Sequence, residues 1–245
     1  MKLLELVPRS VETLLEEAQM VAEQFPQIDG FNVPDILRVP LRSHDAALAL
    51  LKKNHLAIPH IRCIDRPIED TVEIIQNLVD HGLQKVLLIR GDVPIKLSRT
   101  VYDICPLKVI EATQKACPNL DIYAALDPYR SSMIDELHYL DNKVEAGAKG
   151  AFSQPFFNPL FAEVYLDKLQ DIDFFLGISP VLSDISFNYW EQRNKVVFPS
   201  TFSLTPEYSI QTSKSLIALA ERYKQNLYFM PIKTDLKAFL TGIFS

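Results

Sequence analysis

Short apolar runs and longer amphipathic stretches alternate along this chain from one end to the other. Runs that read as buried strands lie at Leu3–Val7, Gly30–Val33, Ala57–Ile61, Lys85–Arg90, Asp121–Leu126, Gly150–Gln154, Phe174–Ile178 and Leu227–Ile232. Between them, apolar residues recur three and four positions apart, the spacing of a helix with one buried face. These segments are Ser10–Phe25, Ser43–Asn54, Pro67–His81, Cys105–Cys117, Met133–Ala146, Asn158–Leu169, Ser183–Asn194 and Glu207–Gln225. Ser10 reads as an N-cap with Thr13 in its first turn, Pro67 as a first-turn proline, and Gly82 and Gly147 as the glycines that follow helix ends. Strands alternating with helices pair in parallel through right-handed crossovers. Eight such units predict a closed (β/α)8 TIM barrel in a single domain spanning 1–245, with an open doubly wound sheet as the other arrangement. Lys233–Ser245 then remain for one short closing helix, and no repeat, linker or low-complexity segment marks a second domain.

Composition fits one large core, with 48% hydrophobic residues in 245. A net charge of −6 without a basic cluster argues against a nucleic-acid groove or an anionic membrane surface, leaving a small molecule as the expected partner and homo-oligomerisation open. Cys63, Cys105 and Cys117 form no CxxC pair, and the opening MKLLELVPRS carries charge and a proline where a signal helix would need an apolar run. With no stretch long enough to span a bilayer, the expectation is a soluble cytoplasmic protein with reduced thiols. The five histidines lack HExxH spacing, and neither a P-loop nor GxGxxG is present, so no metal is expected and phosphates must be held by other means.

A barrel builds its site from the C-terminal strand ends and the loops after them, and polar residues collect there. Glu5 ends the first strand and Asn32 lies on the second; His60, Arg62 and Asp65 follow the third; Arg90 and Asp92 end the fourth; Asp127 and Arg130 follow the fifth; and Gln154 ends the sixth. Packing alone does not require such a rim, whereas a polar ligand with several hydrogen-bonding edges does.

LLELVPR at 3–9, IPHIRCID at 58–65, LLIRGD at 87–92, KVEAGAKGAFSQPFF at 143–157 and GISPV at 177–181 together resemble the ordered landmarks of the methylenetetrahydrofolate reductase family. The resemblance implies a (β/α)8 flavoprotein in which NADH or NADPH reduces FAD, and FAD in turn reduces 5,10-methylenetetrahydrofolate to 5-methyltetrahydrofolate. It also implies roles. Glu5, set between Leu4 and Leu6, matches the family's catalytic acid, and Asp92 its aspartate beside the flavin. Gln154, which both donates and accepts, and Asn32 are expected to read the folate. Lys143, Arg130 and the backbone near Gly91 are expected to hold the flavin diphosphate, with His60, Arg90 and Tyr102 near the cofactor.

The chain departs from the family in several places. LDPYR stands where the family has a Tyr-Pro-Glu stretch followed by a histidine, so that contact to the phosphates is missing and Arg130 is the candidate to replace it. Glu136, Tyr139 and Asn142 replace the family's Asp, Asn and Arg before Lys143, and FMPIKT replaces a last strand that carries an Asn-Arg pair. Weak FAD binding is the expected result. The alternative function is a folate-binding subunit or one-carbon transferase without tight flavin.

Overall fold

A computed structural model describes residues 1–93 and 100–245. Its strands are β1 (Lys2–Glu5), β2 (Gly30–Val33), β3 (Ala57–Arg62), β4 (Lys85–Ile89), β5 (Asp121–Leu126), β6 (Gly150–Pro155), β7 (Asp173–Ile178) and β8 (Asn226–Phe229). They pair in parallel in sequence order, and β8 returns to β1 to close a (β/α)8 barrel. The helices are α1 (Val11–Gln24), α2 (Ser43–Leu51), α3 (Ile68–Asp80), α4 (Pro106–Ala116), α5 (Met133–Glu145), α6 (Pro159–Lys168), α7 (Asp184–Asn188), α8 (Pro206–Arg222) and α9 (Leu236–Phe244).

Local chemistry explains these boundaries. In α1, Leu14, Ala18 and Val21 fall four and three apart and are buried, and the Ser10 hydroxyl accepts from the Thr13 amide to cap the first turn. Gly82 and Gly147 end α3 and α5 at φ +94° and +114°, a region that L side chains rarely adopt. Most expected bounds differ by one to three residues, and two of the differences concern the mouth. The last strand stops at Phe229 rather than Ile232, because Pro231 has no amide to continue the ladder. The expected helix Ser183–Asn194 divides into the short α7 and a π-helical turn, Tyr189–Arg193.

Alternation along the strands sorts side chains into two cores. Those pointing out pack beneath the helices in two large clusters, represented by Leu4, Phe31 and Phe174 in one and by Ile61, Leu88 and Ile122 in the other. Those pointing in, Leu3, Ile58, Leu87, Tyr123, Phe152, Phe175, Tyr228 and Met230, fill the barrel. Phe152 stacks on Phe175 at 4.1 Å, and Tyr123 meets both edge-on at 5.3 and 5.4 Å. This aromatic plug leaves the next inward positions, Glu5, Asn32 and His60, as the floor of the mouth. Among the described residues no helix is long and apolar enough to cross a membrane.

Candidate active site at the barrel mouth

Three adjacent strands and β8 bring four polar side chains together on that floor. Glu5 and Asn32 are partners in the β1–β2 register. The Tyr228 hydroxyl, one strand away on the other side, donates to Glu5 Oε2. Asn32 and His60 meet through Asn32 Nδ2 and His60 Nε2 at 3.2 Å, and the His60 ring stands edge-on to Tyr228 at 6.2 Å. Burial pushes the His60 pKa down to about 3, so the ring is neutral and its Nε2 accepts the Asn32 amide hydrogen. Asn32 is fully buried, and its Oδ1 has no protein partner among the described residues. An acceptor left bare in such a place is costly unless a ligand or water completes it.

Glu5 keeps intermediate surface exposure, since the mouth opens above it, but protein surrounds it closely enough for burial to dominate its titration. Burial raises its pKa to about 7, and the Tyr228 hydrogen bond works in the opposite direction. A carboxyl group so placed is partly protonated at neutral pH, which is what a general acid requires.

A second set of charges lies on the rim above β2, β3 and β4. Arg42 donates to Asp35 at 2.6 Å and to Asp65 at 2.7 Å, while Arg62 Nε donates to Asp65 at 3.0 Å. Burial would raise the Asp65 pKa, but these guanidinium bonds outweigh it and hold the carboxyl below its ordinary value. Arg62 Nη2 reaches on to the Asp92 carbonyl at 2.6 Å. Gly91, at φ +84°, permits this approach: a Cβ there would lie 2.6 Å from the Arg62 guanidinium carbon. The Asp92 side chain is 86% exposed and faces Arg193 of the π-helical turn at 3.5 Å. Arg90 follows β4 directly, its carbonyl accepting from the Ile64 amide at 3.4 Å, and the Tyr102 amide donates to the Ile64 carbonyl at 3.0 Å, so both stand on the same side of the rim.

Above β5, Arg130 and Lys143 are already engaged. Arg130 Nη2 reaches both oxygens of Glu136, at 2.8 and 2.6 Å, and Glu136 is only 1% exposed. Glu136 also accepts from the Asp127 amide at 2.9 Å. Lys143 Nζ donates to the Ala125 carbonyl at 2.6 Å and lies 3.9 Å from the centre of the Tyr139 ring. Burial lowers its pKa to about 8 despite the nearby Glu136. Burial raises the Asp127 pKa, opposed by its bond from the Tyr129 amide.

At the end of β6 the register shifts between Phe152 and Pro155, where the Ser153 hydroxyl accepts from the Gly177 amide at 2.8 Å. Gln154, inside this irregularity, is half-buried and its side chain makes no hydrogen bond among the described residues.

The sequence-derived residues therefore form two groups at one mouth. Glu5, Asn32 and His60 sit on its floor; Arg90, Gly91, Asp92, Tyr102, Arg130 and Gln154 occupy its rim; Lys143, only 4% exposed, lies beneath it, held by α5 against the Ala125 carbonyl of β5. Tyr228 and Arg193 were not foreseen. Tyr228 could have been found, because a tyrosine at an inward strand position must find a partner for its hydroxyl. Arg193 carries no signal, since its position depends on how the β7–α8 connection folds back. The cationic rim fits an anionic cofactor group in placement: Arg130 keeps 47% of its side chain exposed, and its hydrogen bonds among the described residues run through Nη2 alone. In charge the fit is weakened, because Glu136 already neutralises Arg130.

The methylenetetrahydrofolate reductase family model matches residues 38–212. The chain is 28% identical over 149 residues to the 5,10-methylenetetrahydrofolate reductase of Pectobacterium carotovorum, covering 57% of this chain and 49% of that protein. It is 26% identical over 172 residues to the enzyme of the same name from Salmonella typhimurium, covering 66% and 57%. The chain spans about half the length of the curated relatives it matches. Among solved structures, a Yersinia pestis DHPS with a pterine-sulfa conjugate superimposes with a TM-score of 0.54 at 14% identity, covering 100% of this chain and 90% of that one. That likeness concerns the fold.

Proposed function

This chain belongs to the methylenetetrahydrofolate reductase family, and from that premise we propose that it reduces 5,10-methylenetetrahydrofolate to 5-methyltetrahydrofolate, with FAD as cofactor and NADH or NADPH as reductant. The observation that carries the reading is Glu5, a carboxyl group on the floor of the mouth with its pKa raised to about 7. The bridging methylene of the substrate becomes reducible when its five-membered ring opens to a cationic iminium, and opening needs a proton on a weakly basic nitrogen. Glu5 gives that proton from a site where the acid form persists at neutral pH. FAD, when bound, supplies the hydride.

The other residues bind and orient. Asn32 offers its buried Oδ1, and Gln154 its amide, neither hydrogen-bonded among the described residues, to the donor and acceptor edge of the pterin. The Asp92 carboxylate favours a cationic iminium and disfavours extra negative charge nearby. Arg130 and Lys143 would hold the diphosphate, with backbone at Gly91 and the groups of His60, Arg90 and Tyr102 around the cofactor. The reaction so described is cytoplasmic and involves a small molecule, without nucleic acid or membrane.

The test is Glu5→Gln, which keeps size and removes the acid. Methylenetetrahydrofolate reduction should slow by about 10²- to 10⁴-fold, with substrate affinity little changed. A near-normal rate would remove Glu5 from the chemistry.

The Glu136–Arg130 pair favours a second reading, a folate-binding subunit or one-carbon transferase that keeps the pocket without tight flavin. Colour separates the two. Purified protein with a flavin spectrum supports the reductase, whereas colourless protein that FAD cannot reconstitute supports the binding protein.

A further inference from the structure

The hydroxyl of Tyr228 donates to the carboxyl group that the proposed reaction uses. We propose that Tyr228 is a positioning residue that fixes which oxygen of Glu5 carries the proton and governs how readily that proton leaves. The inference rests on the role of Glu5 given above.

The geometry determines the first part. With Oε2 engaged by the Tyr228 hydroxyl, Oε1 is the oxygen that carries the acid hydrogen when both groups donate. Oε1 has no protein partner among the described residues, which leaves it to the mouth. In the transfer, the Oε1–H bond breaks, the proton passes to the substrate nitrogen, and Glu5 is left as a carboxylate. Tyr228 now donates to a charged oxygen, and such a bond is stronger than one to a neutral acid. Tyr228 therefore stabilises the state in which the proton has gone.

Among the described residues no charged group competes for this task. From β2, Glu5 faces the neutral amide of Asn32; from β3, His60 is held neutral behind that amide; from β8 comes Tyr228 itself. Burial and the Tyr228 bond are the two influences on Glu5, and no charged side chain is among them. Tyr228 in turn has its own ionisation pushed far up by burial and by Glu5, so it remains a donor at every working pH. Its ring is fixed by an edge-on contact with Phe152 at 5.4 Å, so the hydroxyl has little freedom to turn away.

Tyr228→Phe keeps the ring and deletes the donor. In the unliganded protein, the Glu5 carboxyl carbon, followed by ¹³C NMR across pH, should titrate about one pH unit or more higher than in wild type. The alkaline limb of the rate profile for methylenetetrahydrofolate reduction should move up with it, while the rate below the limb falls because the acid is weaker. Incorporating 3-fluorotyrosine at 228, a stronger donor in the same place, should move the midpoint down. An unmoved Glu5 midpoint in both variants overturns the proposal, as does a fall in rate with the limb in place, which is what a purely structural residue produces. The expected NMR shifts in a protein that does not reduce the folate would uphold the Tyr228–Glu5 coupling and overturn the reductase reading instead.

Discussion

Arg62 Nη2 donates to the Asp92 carbonyl at 2.6 Å, and so a guanidinium rooted on β3 holds the backbone just past β4 at Asp92. The same group is bound to Asp65, which Arg42 ties to Asp35. Three βα loops thus share one partly buried ionic network on the rim.

Removing one member of this network should leave an uncompensated charge. Arg62→Met is expected to destabilise the fold by about 3 kcal/mol, measured by urea unfolding. Adding Asp65→Asn should cost less than the sum of the two single changes, because Asp65 has then already lost one of its two guanidinium partners. Additive effects would mean the two side chains act independently.

The pH dependence of stability follows from Glu5. Its pKa is higher in the fold, about 7, than its ordinary 4.5. The folded state therefore holds this proton more tightly, and the associated stability is complete below pH 4.5 and lost as pH rises through 7. Glu5→Gln cannot pay that loss. It should match wild type in stability near pH 4.5 and exceed it by up to about 3 kcal/mol at pH 8.5, in thermal or denaturant unfolding at the two pH values. Equal stability at the higher pH would show that the carboxylate ionises in the fold without penalty.

Cofactor affinity should reveal the internal neutralisation above β5. Glu136→Gln releases Arg130 from its carboxylate and should tighten FAD binding by about tenfold, read by quenching of flavin fluorescence. Weaker binding in that variant would mean Glu136 shapes Arg130 for the ligand rather than competing with it.

Lys143 gives a complementary pH test. Its pKa of about 8 means that the ammonium is lost as pH rises through that value. FAD affinity in wild type should fall between pH 7 and pH 9, and Lys143→Met should bind weakly at both. A wild-type affinity that is flat over this range, or that Lys143→Met shares, would remove Lys143 from the phosphate contacts.

The aromatic plug sets how far the floor can give. Phe152→Ala deletes one member of the stacked pair and should cost about 3 to 5 kcal/mol, seen as a lower urea midpoint at unchanged slope. A loss below about 1 kcal/mol would mean that Tyr123 and Phe175 collapse into the space.

Much of this was legible in the sequence, for identifiable reasons. The eight strands announced themselves because most of their residues are buried on both faces, which writes short, largely apolar runs, and parallel pairing follows from the helices between. Floor residues such as Glu5 were visible because a charged residue between leucines is a local anomaly. The engagement of Arg130 by Glu136 was not visible: six residues apart, across a loop and a helix start, the two could equally have faced solvent or ligand. The same holds for Arg62, whose length lets it reach a neighbouring loop that no local pattern encodes. Arg193 came into view only once the stretch expected as one helix was seen to turn through a π-helical segment.

Barrel closure has a kinetic corollary. Glu5 and Tyr228 are separated by 223 positions, and they meet only where β8 zips onto β1. Contacts that distant in sequence are among the last to be rewarded during folding, since a loop of nearly the whole chain must close before they form. A chain still emerging from the ribosome, or one nicked before β8, can bury most of its outer core and still lack the proton donor's partner. Titration of Glu5 is thus an internal clock for the final stage of assembly: its midpoint in a stopped-flow refolding experiment should shift only with the slowest phase.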